Sequence, residues 1–248
     1  MARESDIAIA QAARNNADWC DAVARSHGAG GRFLPELWFS AGKLPLFYPN
    51  LITLTAEGQA AQRERVAALL ENGPPLPWAV KDSFAALDLT AQGFDCLFEA
   101  SWIGLPPDEV SPPAEDLSIR WHRVERPDDL VTWETAWRRD LSAGSAAIFQ
   151  PALLQDSTIA ILAGRLGEEI VAGAVLNLSA GAIGLSNLFG PETARASVWN
   201  ECRREAQARA PGLPVVGYER DEDLALALEA GFRALGPLRV WLWTGSAG

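Results

Sequence analysis

A chain of 248 residues, 48% hydrophobic and 21% charged, can bury a large core, so its length allows one domain or two small ones and its composition argues against disorder. A formal net charge of -11 argues against nucleic acid or an anionic membrane as partner, and fits a cationic or neutral small ligand slightly better than an anionic one. Cys20, Cys96 and Cys202 lie far apart without a CxxC pair, and with only His27 and His122 to join them they give no zinc-ligand spacing.

The N-terminus lacks an apolar run followed by a cleavage site, and no stretch approaches the length of a membrane span, so a reducing cytoplasm is the expected compartment. Ile7, Ile9, Ala12, Ala13, Trp19, Ala22 and Val23 fall near helical spacing and predict a helix over Ser5–Ser26, stopped by Gly28–Gly31. A loop rich in proline and aromatics follows over Phe33–Pro49. Its LPLFYPN segment (Leu44–Asn50) is apolar enough that sealing a domain interface is the preferred role over lining a cleft. Next come a strand (Leu51–Thr55), a helix (Ala56–Asn72), a strand (Trp78–Phe84), a short helix leading to Gly93-Phe94, and a strand (Cys96–Leu105).

LPPDEVSPPAED (Leu105–Asp116) can neither pair as a central strand nor continue a helix. It divides the chain into an N-terminal domain (1–105), a linker (106–116) and a C-terminal domain (117–248). In the latter, Leu117–Val124 alternates as a strand, Pro127-Asp128-Asp129 opens a helix through Ser142, and a second short helix covers Ala146–Gln155. Thr158–Leu166 and Ile170–Leu178 form a hairpin around Gly167-Glu168-Glu169, and Ala182–Phe189 is a third strand. Gly190–Thr193 breaks into a helix reaching Ala210; Pro214–Tyr218 is a strand, Glu222–Ala230 a helix, and Leu238–Trp243 the last strand. Asp82–Leu105 and Glu219–Trp243 both read helix, Gly-Phe, apolar strand, a similarity that either duplication or convergent wiring can produce.

The β-α-α-β-β-β-α-β-α-β order of residues 117–243, closing on VVGYERDEDLALALEAGFRALGPLRVWLW (Val215–Trp243), resembles the GNAT superfamily of acyl-CoA N-acyltransferases. The resemblance implies an α/β fold with a mixed sheet of α+β type, built as two GNAT-like halves of which the N-terminal one is a degenerate copy. It also implies acetyl-CoA or another acyl-CoA as cofactor, and an amine of a small molecule or peptide as acceptor. The family holds the cofactor on its fourth strand and the next helix, whose free N–H groups and dipole receive the pyrophosphate. Here that assigns Leu188, Phe189, Gly190, Thr193, Ala194, Arg195 and Ser197, with Arg220 within reach of a CoA phosphate.

The phosphate motif of that family reads Arg or Gln, two residues, Gly, one residue, Gly or Ala; these places fall on Ala194, Ser197 and Trp199, and Glu192 adds a negative charge beside them. The tyrosine that protonates the departing thiolate in many members is Ala227 in this chain. Tyr218, at the end of the preceding strand, is the candidate acid instead. Ser186 and Asn187 are polar candidates on the central strand, where alternation lets only one face the cleft, and Glu219 alternates to the side opposite Tyr218 as a weaker base. His122 and Cys202 are assigned to surface and core, and the Trp133/Trp137 and Trp241/Trp243 pairs to packing. The competing reading is a non-catalytic binding or scaffold protein on the same fold, with an acyl-CoA hydrolase or sensor as a third. The Trp-rich last strand offers an edge for a homodimer.

Overall fold

The computed structural model describes residues 7–109, 118–138 and 146–245. Helix α1 (Ile9–Ser26) is buried on most sides because Ala12, Ala13, Ala17 and Ala24 let it approach the sheet closely. It ends on Gly28, whose φ of 71° allows the N–H groups of Gly28 and Ala29 to reach the carbonyls of Arg25 and Ala24. Two short strands, β1 (Arg32–Phe33) and β2 (Leu37–Phe39), occupy the start of the stretch expected to be a loop. Then follow β3 (Leu51–Thr53), α2 (Gln59–Glu71), β4 (Trp78–Asp82) and β5 (Phe94–Leu105).

The second half comprises β6 (Arg120–Arg123), α3 (Pro127–Trp137), β7 (Ile159–Leu166), β8 (Glu169–Ser179), β9 (Ala182–Phe189), α4 (Arg195–Arg209), β10 (Val215–Glu219), α5 (Asp221–Glu229) and β11 (Arg233–Trp243). Strand β9 has the expected bounds, whereas β11 begins at Arg233 rather than Leu238. The helix expected over Ala146–Gln155 is a single 3-10 turn at Pro151–Gln155. The end of the helix expected to reach Ser142, and most of the expected linker, lie outside the described residues.

Among the described residues one mixed sheet of 11 strands runs in the order β1-β2-β3-β4-β11-β5-β10-β9-β8-β7-β6. Pairing is antiparallel except at β3–β4 and β9–β10. Strands from the two ends of the chain interleave: β5 lies between β10 and β11, and β11 lies between β4 and β5. The β5–β11 ladder extends from Gly104 opposite Arg233 to Phe94 opposite Trp243, with Arg239 bridging to its cross-strand neighbour Glu99 at 2.7 Å.

Alternation along β7 sends Ile159, Ile161 and Ala163 to a core under α1 and α3, and Ala160 and Leu162 to a core under α4 and α5. Two asparagines fasten α1 to the first of these faces. Asn15, 1% exposed, donates to the carbonyls of Asn177 (3.3 Å), Ser179 (3.0 Å) and Ala182 (3.2 Å), and Asn177 Nδ2 returns a bond to Asn15 Oδ1 at 3.1 Å. Gly184 lies beneath the pair, where a Cβ would overlap both amide oxygens. No described helix is long and apolar enough to cross a membrane.

Candidate functional site

Strands β9 and β10 run side by side only briefly. Val215 pairs with Ile183 and Val216 with Gly184, and the ladder stops there. Gly217 still sits against the Leu185 carbonyl, at a place where a Cβ would come within 2.7 Å of that oxygen. Past it the strands part, so the edge of Leu185–Phe189 that faces β10 has no strand partner among the described residues. On its other edge β9 carries a bulge: Gly173 pairs with Phe189 but Val175 with Ser186, which puts two β9 residues opposite one on β8. Asn187 makes the bulge with φ 52°.

The wedge opens toward α1 into a pocket of about 230 Å³. Leu185, Ser186, Asn187 and Leu188 form one wall and Tyr218 and Glu219 the other. Asn16, Trp19 and Cys20 of α1 face them, with Tyr48 and Lys81 contributed from the N-terminal half. Because the bulge breaks strict alternation, both Ser186 and Asn187 border the pocket, contrary to the expectation that only one would. Ser186 Oγ and Asn187 Oδ1 are buried without a hydrogen-bond partner among the described residues, each a cost of roughly 1–3 kcal/mol, while the Tyr48 hydroxyl lies within hydrogen-bonding reach of the Trp19 and Asn187 side chains. Two such groups side by side in one pocket wall leave polar capacity that a bound molecule or water can satisfy.

Electrostatics distinguish the candidates. Glu219 borders the pocket from the wedge itself, and its charged neighbours, Asp223 and Arg195, belong to the α4 and α5 side. Burial pushes its carboxyl up to about 8, Asp223 pushes the same way, and Arg195 opposes both. Burial raises the Cys20 thiol to about 11 despite the nearby Lys81 ammonium, so it is no nucleophile at neutral pH. Burial likewise holds Tyr48 and Cys202 well above their usual ranges. The ring of Tyr218 packs edge-on against Trp102 at 5.5 Å between centroids.

A second hollow, of about 630 Å³, lies at the start of α4, lined by Thr193, Ala194, Arg195, Ser197 and, from the acidic side, Glu192 and Glu222. Helices α3 and α5 carry acids in their first turns, but α4 carries none and has no side-chain cap, leaving its first N–H groups toward this hollow. The indole of Trp199 does not enter it. That ring is 1% exposed and packs edge-on against Phe232 at 5.5 Å, inside the core beneath α4. The Arg195 guanidinium is held by Asp223 and, at 3.5 Å, by Glu222.

Neither a protein-family model nor a curated protein sequence matches this chain. Solved structures do. A GCN5-related N-acetyltransferase from Kribbella flavida superposes with a TM-score of 0.63 at 14% identity, covering 95% of this chain and 96% of that one. The chain has the GNAT fold. A GCN5-related N-acetyltransferase-like protein from Streptococcus suis (TM-score 0.54, 15% identity, 95% and 98% covered) gives the same result. So does a GCN5-related N-acetyltransferase from Sphaerobacter thermophilus (TM-score 0.56, 12% identity, 78% and 71% covered).

Within this GNAT fold the expected residues separate into groups. Ser186, Asn187, Leu188 and Tyr218 meet at the wedge, and Thr193, Ala194, Arg195 and Ser197 meet at the α4 hollow. Phe189 instead turns its ring onto Trp133, 5.4 Å between centroids, and Gly190 lies tight against Val198, where a Cβ would come within 2.8 Å. Arg220 lines neither space; its guanidinium stacks 4.9 Å from the Phe98 ring. His122 is exposed and Cys202 fully buried, as expected. The segment expected to seal a domain interface lines cavities: Phe47 and Tyr48 border the wedge pocket, and Leu44–Pro49 form part of the larger cavity beside it. Asn16 and Lys81 escape sequence reasoning because they reach the wedge from elements far away in the chain, whereas Tyr48 lies in the segment for which lining a cleft was the less preferred of two roles.

Proposed function

We propose that the protein transfers an acetyl or other acyl group from acyl-CoA to an amine. The observation that carries this reading is the parting of β9 and β10 after Gly184 and Val216, with a pocket of unpartnered polar atoms on one side and an uncapped helix N-terminus beyond the end of β9. The GNAT fold of the solved structures supports it. The residues present fit an acyl-CoA. The free edge of Leu188–Phe189 suits an extended pantetheine arm, and the start of α4 at Arg195, beside the hollow, suits its phosphates.

Acyl-CoA supplies an activated acyl group, and the chain supplies orientation and two proton positions. The amine nitrogen forms a bond to the acyl carbon as the carbon–sulfur bond breaks; one proton leaves nitrogen and one reaches sulfur. Asn187 Oδ1 and Ser186 Oγ, unpartnered acceptors at the pocket wall, orient the N–H groups of the amine. Glu219 takes a proton from nitrogen once ionised, and the Tyr218 phenol delivers one to sulfur.

A specific observation favours the scaffold reading: Glu192 and Glu222 line the hollow where phosphates would sit, and carboxylates already hold Arg195. Thermal shift separates the two. Acetyl-CoA at a hundred times its dissociation constant adds about 2.7 kcal/mol of stability, which for a chain of this size raises Tm by roughly 5–11 °C. No shift with acetyl-CoA or with longer acyl-CoAs leaves the scaffold reading. Where a shift occurs, thiol release that depends on an added amine distinguishes a transferase from a hydrolase.

A further inference from the structure

Beside the wedge pocket, and sharing Phe47, Tyr48, Lys81 and Tyr218 with it, is a cavity of about 800 Å³. Its floor is the face of the sheet where strands from the two ends of the chain interleave, given by Ala79 and Lys81 of β4, Val240 and Leu242 of β11, and Phe98 of β5. The roof is the Leu44–Pro49 segment, with Phe47 at the rim and 58% exposed. Most of this wall is apolar. Among the described residues its charged and titratable side chains other than tyrosine are His27, Lys43, Lys81 and Arg138, and none is a carboxylate. In a chain of net charge -11, that is an inversion of the overall balance.

Two of these groups are already engaged. Arg138 bridges to Glu134 at 2.6 Å, and His27 Nε2 bonds the Ile148 carbonyl at 2.8 Å. Lys81 is different. It is 3% exposed, donates to Asn16 Oδ1 at 2.7 Å and lies 4.1 Å above the Tyr218 ring, yet has no carboxylate partner among the described residues. A buried ammonium with one neutral acceptor and one ring face leaves donor capacity unused, and buried charges are ordinarily paired. Lys81 therefore stands as half of an ion pair, at the boundary between the wedge pocket and an apolar cavity.

We propose that the acceptor is an amine that also carries a carboxylate and a large apolar group, such as an amino acid with an aromatic or branched aliphatic side chain. The carboxylate meets the Lys81 ammonium, the apolar group fills the cavity under Leu44–Pro49, and the amine points into the wedge toward Asn187 and Glu219. The assignment of the amine as the reacting group rests on the acyl-transfer reading; the carboxylate and apolar subsites do not. A cavity of this size holds such a side chain with room for its backbone. It also departs from the expectation from net charge, because the charged side chains among the described lining of this cavity are all basic.

Calorimetric titration of the full chain without CoA tests the proposal, using L-phenylalanine, 2-phenylethylamine and L-serine as probes. L-phenylalanine should bind 10- to 100-fold more tightly than 2-phenylethylamine, which lacks the carboxylate, and than L-serine, which lacks the apolar group. Lys81→Met should abolish the preference for L-phenylalanine over 2-phenylethylamine. Equal affinity for the first two probes, or no binding of any of them, overturns the proposal; both results come from the wild-type chain and do not depend on the variant folding. Binding of L-phenylalanine with the stated preference, in a protein that shows no shift with acyl-CoA, sustains the subsite and removes the acyl-transfer reading instead.

Discussion

Replacing Gly184 with alanine adds one methyl group where β9 passes beneath the Asn15–Asn177 pair. The backbone there is ordinary extended strand, so alanine itself is tolerated, and the smaller entropy of its unfolded chain would favour the variant by about 0.4–1 kcal/mol. Against this stands a direct overlap with the amide oxygens of both asparagines. One of them must leave, and Asn15 alone supplies bonds to three buried or partly buried carbonyls. Losing these at about 1 kcal/mol each, with some of the carbonyls left dry, gives a loss of roughly 3–4 kcal/mol. The net expectation is about 3 kcal/mol of destabilisation, a fall in Tm of roughly 6–12 °C. Urea denaturation of the wild type, Gly184→Ala, Asn15→Ala and the double variant measures it. The double variant should be less destabilised than the sum of the singles, because the clash and the bonds share one partner. A Gly184→Ala protein as stable as the wild type refutes the claim that this contact fixes α1 on the sheet.

Three further outcomes are expected. Glu219, raised to about 8 from 4.5, is protonated in the folded chain and ionised in the unfolded one between those values, so stability falls as pH rises through that window and levels off above it. Glu219→Gln should flatten that part of the Tm-against-pH curve, and an unaltered slope would show that the carboxyl is not buried. Tyr218→Phe should lower kcat for amine-dependent thiol release by about 100-fold if its phenol is the acid; unchanged turnover removes that role. Trp199→Ala should cost about 3–5 kcal/mol in denaturant unfolding with no gain in acyl-CoA affinity, whereas tighter binding in the variant would place the indole in the α4 hollow.

What was legible in the sequence depended on how local the determining contacts are. Strand β9 and the β7–β8 hairpin could be bounded because glycines bracket them: Gly167 takes φ 61° in the hairpin turn and Gly181 takes φ 68° before β9. Strands β1 and β2 were missed because two or three residues give no period to detect. The bulge at Asn187 was not legible either; a ladder irregularity depends on the partner strand, and β8 reads as a regular apolar run. Lys81 left one faint signal, a lysine inside the largely buried strand Trp78–Asp82. Its meaning appears only when β4 is brought across two other strands to Tyr218. The placement of β5 and β11 is equally nonlocal, since each reads as a strand in the sequence without saying which neighbour it chooses.

That placement bears on how the molecule is made. Both neighbours of β5, β10 and β11, leave the ribosome more than a hundred residues after it, on the order of ten seconds later at usual rates of synthesis. Until then FDCLFEASWIGL has two open edges, and β4 has one, so the nascent chain carries an aggregation hazard that the finished protein does not. Emergence of β11 closes β4 and one edge of β5 together, and only then is the floor of the cavity beside the wedge complete.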